Sequence, residues 1–399
     1  MPLTTRPLTR DDFDQSMGLI REAFGDLPPG TTPQSPDDPP RPGYHAYGTF
    51  DDDHLVARLA TRGYHSWFGG SAVPSGGIAG VVVTAERRGT KLLDELFRVA
   101  LDDGLRERGE AVSTMFCTAP GIYRKFGYEV ISSYDTVEVP AAALARIGAP
   151  AGVRTRRATP ADFDAVCRVY DTWAAAQNGP LTRRGPAFPA DAKAFIDAFT
   201  GVTLAVDDAG EVIGFASWDR GQETGDSATL EVVDLLALSG DAYRALWHVL
   251  GSFGSVVGQV RLCTSGHDVA RLSLPSAHWK AVEREPYMLR VHDVPGAFAG
   301  RDWPVDGDVA FSVAGDHLGT TNGAWRLVIE RGKATCVPAA AAAAADGPVL
   351  TPGGLALAWA GAQTCANLRM AGHLSGGMEN DEALDRVLAP RPIHIRDSF

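Results

Sequence analysis

The sequence predicts an α/β protein (α+β in its sheet organisation) made of two copies of one mixed-sheet domain and a smaller C-terminal domain. Three observations predict this. The chain has 399 residues, beyond the size at which a single hydrophobic core keeps growing. Its opening motif is written twice, at an offset of 150 residues. Its pattern changes after about Arg301.

The motif is Thr5-Arg6-Pro7-Leu8-Thr9-Arg10-Asp11-Asp12-Phe13-Asp14, and again Thr155-Arg156-Arg157-Ala158-Thr159-Pro160-Ala161-Asp162-Phe163-Asp164. Both read T-R-x-x-T-x-x-D-F-D. Each copy reads as a short basic strand end, a Thr N-cap with Asp at N3, and then a helix. Pro160 stands at N1, where a missing N–H costs nothing. Helical spacing follows, at Phe13, Met17, Ile20 and Phe24, and at Phe163, Val166, Val169, Tyr170 and Trp173.

After the first helix, Pro28 to Asp53 is rich in Pro, Gly and Asp and reads as a mobile surface loop or lid. Gly80 to Val83 reads as a strand, then a turn, then a helix with Leu92, Leu93, Leu96, Phe97, Ala100, Leu101 and Leu105 on one face. The second copy offers a hairpin, Thr203–Val206 and Val212–Ala216 around Asp207–Glu211. A strand from Ala228 to Leu238 leads to a helix near Asp241. These readings divide the chain into 1–150, 151–300 and 301–399. In the last part Phe311–Val313 and Trp325–Glu330 read as strands, with a turn at Arg331-Gly332-Lys333 and a short helix over Glu382–Leu388. The run Ala339–Ala345 is of low complexity and carries no functional signal.

Composition excludes several classes. With 45% hydrophobic and 22% charged residues the chain reads as an ordinary globular protein. No stretch approaches the roughly 18 apolar residues of a membrane span, and the N-terminus lacks the apolar core of a signal peptide, so a cytoplasmic protein without a membrane partner is expected. A formal charge of −12 opposes nucleic-acid binding and suits a small cationic substrate. The five cysteines lie far apart and read as small buried hydrophobes. The ten histidines show no ligand spacing, so no metal is expected. No G-x-S-x-G, G-x-G-x-x-G or Walker pattern occurs.

Chemistry is expected between Val81 and Tyr128. A strand followed by the basic turn Glu86-Arg87-Arg88-Gly89-Thr90-Lys91 and a helix start suits a pyrophosphate, because free N–H groups and the helix dipole favour an anion. Farther on comes Gly121-Ile122-Tyr123-Arg124-Lys125-Phe126-Gly127-Tyr128. At these residues the chain resembles the GNAT acetyltransferases, and among them the Eis (enhanced intracellular survival) type. Members have two tandem GNAT halves with mixed sheets, a sterol-carrier-like C-terminal domain, an I-Y-x-x-F-G-Y word and a terminal phenylalanine. The resemblance implies an N-acyltransferase moving an acetyl or other acyl group from CoA to a small cationic amine, in a homo-oligomer, a hexamer in the family.

It implies Tyr123 as general acid and the Phe399 carboxylate in the active site. It implies an acyl-CoA site at Val81, Val83, Arg87, Arg88, Gly89, Lys91 and Thr118. Phe24, Asp26, Asp397 and Ser398 are implied as acceptor contacts. An acidic residue often precedes the final Phe; here Ser398 does, with Asp397 one earlier. Expelling a thiolate, whose thiol has a pKa of about 8.5, suits a tyrosine of pKa about 10 as proton donor. A terminal carboxylate, pKa about 3.5, is a poor base and serves better to hold the amine.

The family loop reads close to R-R-x-G-x-G/A. One register here puts Glu86 at the first Arg and Lys91 at the last small residue; the other puts Lys91 at the central Gly. Three hypotheses follow: acyl transfer from CoA, another acid/base reaction on the same scaffold, or ligand or lipid binding without catalysis. The second half, with Leu238-Ser239-Gly240-Asp241-Ala242-Tyr243-Arg244 at the matching turn, lacks the cationic loop and reads as a structural duplicate walling the acceptor cleft.

Overall fold

The computed structural model describes residues 3–26, 35–188, 190–223, 225–265, 268–274, 279–340, 347–389 and 391–399. The first half runs β1 (Thr4–Pro7), α1 (Phe13–Phe24), β2 (Tyr44–Asp51), β3 (His54–Phe68), β4 (Ser71–Val83), α2 (Leu92–Arg108), β5 (Val112–Phe116), α3 (Pro120–Arg124) and β6 (Glu129–Pro140). The second runs β7 (Val153–Arg157), α4 (Phe163–Ala175), β8 (Gly201–Asp207), β9 (Val212–Arg220), β10 (Gly225–Ala237), α5 (Gly240–Gly251), β11 (Val257–Thr264) and β12 (Lys280–Val291). The two strings match strand for strand.

The repeated motif folds alike in both copies. Thr9 N and Oγ1 donate to the Asp12 carboxylate at 2.7 and 2.9 Å, and Arg6 grips it with two bonds of 2.7 and 2.9 Å. Thr159 and Arg156 repeat this on Asp162. The arginine hydrogen bonds, outweighing desolvation, hold both carboxyls well below the ordinary range. Each box closes one 3-10 turn, Arg10–Asp12 or Pro160–Asp162, before the α-helix begins. Helix α4 buries Val166, Val169 and Tyr170, but α1 buries Leu19 and leaves Phe24 exposed.

The expected loop from Pro28 to Asp53 is corrected in part. Residues 27–34 lie outside the described residues, but Tyr44–Asp51 is a strand paired with both β1 and β3. The Pro/Gly/Asp bias ends near Gly43; beyond it Tyr44, Tyr47, Thr49 and Phe50 are good strand formers.

One twelve-stranded sheet joins the halves, in the order β1-β2-β3-β4-β5-β12-β6-β11-β10-β9-β8-β7. The halves exchange their last strands: β12 lies between β5 and β6, and β6 pairs with β11. The C-terminal part forms a five-stranded sheet of β13 (Gly307–Val313), β14 (Gly323–Glu330), β15 (Lys333–Pro338), β16 (Pro348–Leu350) and β17 (Leu374–Gly376), in the order β15-β14-β13-β16-β17. Its helix α6 (Pro352–Ala360) is apolar all round and wholly buried, as a helix enclosed on every side must be. Leu355 and Trp359 of α6 share one core with Phe68 and Val112 of the first half and with Tyr287 and Leu289 of β12. No described helix is long and apolar enough to cross a membrane.

The tail then returns to the second half. Buried Asn178 holds it: its N–H donates to Pro392 O and its carbonyl accepts from His394 N, both at 2.9 Å, while its side chain bonds Gly69 N and Ala360 O. A chain cut after residue 150 would leave β6 without β11 and β12. Residues 3–150 alone are expected to melt without a cooperative transition, unlike the full chain. A cooperative melt of that fragment by circular dichroism would refute the dependence on exchanged strands.

Candidate active site

Strands β4 and β5 run parallel for only three paired residues, Ser75–Gly77 against Val112–Thr114. Beyond them β4 continues to Val83 on β3 alone, so its other edge leaves peptide groups without a ladder partner. The strands fork. A cavity of about 510 Å³ opens at this edge, lined by Val81, Val83, Arg87, Arg88, Gly89, Lys91 and the first residues of α2, with Ile122, Tyr123 and Phe126 opposite.

The turn that bounds it is built by local conformation. Ala85–Arg87 is one 3-10 turn, and Glu22 Oε1 accepts the Ala85 N–H at 3.0 Å. Lys91 is the N-cap of α2 with φ 63°, the left-handed region usually reserved for glycine. It offers no side-chain cap; the Asp94 N–H turns back to Lys91 O at 3.1 Å, and the Leu92 and Leu93 amides have no hydrogen-bond partner among the described residues and suit an anion. Arg87 pairs with Asp51, whereas Arg88 and Lys91 have no ion pair among the described residues. Glu86, at the first Arg of the family loop in one register, is exposed and is not among the residues lining the cavity. This edge, basic turn and free helix terminus fit a pantetheine-pyrophosphate donor.

Tyr123 stands on α3 with its ring edge-on to Phe97 and Tyr128, centroids 6.3 and 6.5 Å apart. Among the described residues its hydroxyl makes no hydrogen bond. Burial, with Cys117 nearby, raises its pKa, so the group stays protonated at neutral pH. Its turn is braced from β12: Arg290 Nη1 donates to Phe126 O, and the same guanidinium pairs with Asp316 at 3.0–3.1 Å. Both side chains are fully buried. Burial pushes the Asp316 carboxyl up, but Arg290 and the Thr321 N–H outweigh it and bring it down to about 2.

Phe399 reaches the closed end of the fork. Its ring lies 5.0 Å from Tyr64 and 5.3 Å from Phe116, and a Cβ on Gly77, the last β4 residue paired with β5, would fall 2.7 Å from both Phe399 and Tyr64. On the Tyr64 side a second cavity of about 250 Å³ is lined by Arg41, Pro42, Tyr44, Arg62, Tyr64, Pro186 and Ala187. The last two come from the second half. The acidic cleft suggested by net charge is not found here, since this lining carries two arginines and no carboxylate.

The second half has a matching fork. Strand β10 pairs with β11 over Thr229–Val232 and continues on β9 alone from Asp234. The tail fills it: Arg396 bonds Val233 O at 2.5 Å on one side and Cys263 O on the other. Arg183 makes two bonds to Asp234, at 2.8 and 3.0 Å, and one to Asp397 at 2.7 Å.

One cavity thus holds Tyr123 with Val81, Val83, Arg87, Arg88, Gly89 and Lys91, whereas Phe399 is not among its lining residues and stands at the paired end of the fork, beside Gly77, Tyr64 and Phe116. Thr118 is exposed and outside the lining. Phe24 is exposed, Asp26 pairs with Arg21 at 3.2 Å, and neither lines the two cavities described above. Asp397 is bound by Arg183 and the Tyr170 hydroxyl, and Ser398 is exposed. Sequence reasoning missed Arg41, Tyr44, Arg58, Arg62 and Tyr64, which share no short motif; the basic residues at 58 and 62 inside an apolar β run were the available signal.

Family models described as acetyltransferase (GNAT) domain match residues 4–131 and 179–291, and one described as sterol carrier protein domain matches residues 294–396. The chain is 30% identical over 315 residues to an uncharacterised N-acetyltransferase of Streptomyces griseus subsp. griseus, covering 73% of this chain and 74% of the relative. The GCN5-related N-acetyltransferase from Kribbella flavida superposes with a TM-score of 0.79 at 26% identity, covering 100% of this chain and 98% of the other. Eis1 from Mycobacterium abscessus is similar in fold, with a TM-score of 0.74 at 21% identity over 100% of both chains.

The Asp316 carboxyl, lowered from 3.8 to about 2, contributes stability that is full above 3.8 and lost as pH falls through 2. Asp316→Ala is expected to cost about 3–5 kcal/mol by leaving Arg290 buried and unpaired. Denaturant unfolding checks both: the variant has the lower midpoint, and its stability falls less steeply between pH 4 and 2 than that of the unsubstituted chain.

Proposed function

The chain belongs to the GNAT N-acetyltransferases, and on that premise we propose that it moves an acetyl or other acyl group from acyl-CoA to a small-molecule amine, with Tyr123 as general acid. The observation that carries this reading is the single cavity in which the unpaired β4 edge, the basic turn and the bare start of α2 face Tyr123. The three-part order and the meeting of Phe399 with the fork favour the Eis type within the family.

Val81 and Val83 would hold the donor's amide arm through their free backbone groups. Arg88, Lys91 and the first amides of α2 would hold its pyrophosphate. The donor supplies an activated acyl group. The Tyr123 hydroxyl, kept neutral by burial, gives its proton to the departing sulfur. The Phe399 carboxylate, set at the fork by its ring, holds the incoming amine and orients it.

Titration calorimetry with acetyl-CoA is expected to give saturable heat; no heat and no thermal shift at millimolar ligand would remove the transferase reading. Tyr123→Phe is expected to lower kcat about 100-fold or more with an unchanged melting curve. Equal turnover would take Tyr123 out of the mechanism. Extending the chain past Phe399 is expected to impair turnover, because it converts the carboxylate to an amide.

A further inference from the structure

Several arginines of the first half pair with carboxylates, among them Arg6 with Asp12, Arg108 with Glu110 and Arg124 with Glu129. Arg41, Arg58 and Arg62, like Arg10, Arg88 and Arg146, have no carboxylate partner among the described residues, in a chain of net charge −12; what sets these three apart is that they gather around one cavity. Arg41 and Arg62 line the 250 Å³ cavity beside Tyr64. Arg58 lies behind it, 2% exposed, and its Nη2 donates to the hydroxyl of Tyr44, another lining residue, at 2.8 Å. Its Nε and Nη1 have no hydrogen-bond partner among the described residues, and Nη1 sits 3.1 Å from where a Cβ on Gly80 would be, on the β4 segment that leaves β5.

A buried guanidinium without a counterion is costly, since desolvation is not repaid by a partner. Among the described residues no carboxylate pairs with it: Asp397 is taken by Arg183 and Glu110 by Arg108, and Asp38, three residues before Arg41, accepts from Ser35 N. The Tyr44 hydroxyl accepts from Arg58, so its own hydrogen is directed elsewhere and is polarised as a donor. Arg62 Nη1 lies 3.5 Å from the Tyr64 hydroxyl, and Tyr64 packs on Phe399 at the fork. Cationic donors and aromatic walls therefore converge one ring away from the end of the fork.

From this geometry we propose that the acceptor is an amine that also carries an anionic oxygen group, carboxylate or phosphate. Arg62 and Arg41 bind that group directly, with the Tyr44 hydroxyl as a further donor. Arg58 is a positioning residue that polarises and orients the Tyr44 hydroxyl. The acceptor is thus zwitterionic or anionic, and a polycationic amine is disfavoured. The inference rests on the acyltransferase reading for the amine and is independent of it for the anion.

The test uses the full chain and probes that need no donor: phenylacetate, phenyl phosphate and the neutral phenylacetamide, each titrated by calorimetry. At least one anion is expected to bind tenfold or more tighter than phenylacetamide, and Arg62→Gln is expected to erase that difference while leaving the weak amide binding unchanged. With acetyl-CoA present, phenylalanine is expected to exceed phenylalaninamide in kcat/KM by tenfold or more, mainly through KM. The exposed Arg41→Gln serves as the second variant, with a smaller loss of the same sign. Arg58→Met is expected to lose anion preference and to melt at a higher temperature, because it removes an uncompensated buried charge; a purely structural Arg58 would give a lower melting temperature. Equal binding of both anions and the amide, or equal losses for all three in Arg62→Gln, overturns the proposal. Heat with acetyl-CoA but no anion preference removes only this inference, and anion binding without acetyl-CoA heat removes only the transferase reading.

Discussion

The placement of β12 between β5 and β6 is the constraint on which the rest of the structure depends. A strand from the end of the second half supplies the ladder on which the first half's last two strands both rest. The same strand carries Arg290, which reaches one way to the backbone of the Tyr123 turn and the other way to Asp316 of the C-terminal part. Gly127 makes room for it: with φ 79° and a would-be Cβ 2.3 Å from Arg290 Nη1, this position excludes any side chain. The F-G-Y part of the word around Tyr123 is thus a packing requirement set by a residue more than 160 positions away, and the tyrosine inherits its rigidity from it.

Two forks of common origin have opposite fates. In the first, the β4 edge stays open beside a basic turn. In the second, Arg396 spans the gap between Val233 and Cys263, and Arg183, Asp234 and Asp397 balance its charge in a buried network. Two cations and two anions enclosed together can repay their desolvation where one alone cannot. The tail that closes the second fork runs on by three residues to place Phe399 at the first. One segment therefore distinguishes two halves that the sheet alone makes equivalent.

What could be read from the sequence was whatever lies within a few residues of its partner. The capping boxes at Thr9 and Thr159, the hairpin at Asp207–Glu211, the turn at Arg331–Lys333 and the helix start after Lys91 are local, and local chemistry decides them. Strand exchange leaves no such mark, because β6 and β12 would show the same alternation on either side of a sheet. One register set Glu86 at the first Arg of the family loop, but the 3-10 turn Ala85–Arg87 leaves it exposed and outside the cavity lining, and Lys91 takes the left-handed conformation usual for glycine. Strand β2 was lost inside a Pro/Gly-rich stretch that ends one residue before it begins.

The buried arginines separate structural from functional demand. Arg290 and Arg396 have carboxylates against them. Arg301 has none, yet it donates to Trp359 O and lies over the rings of Trp303 and Trp359, and burial lowers its pKa to about 9. Its charge is met by carbonyl and π density. Arg58 is served by neither device: one tyrosine hydroxyl is its sole partner among the described residues, and that tyrosine lines a cavity with two further arginines. Among the described residues Arg58 has neither a carboxylate nor a carbonyl nor an aromatic ring against it, unlike Arg290, Arg396 and Arg301, and the anion proposed for the neighbouring cavity is the charge that would answer it.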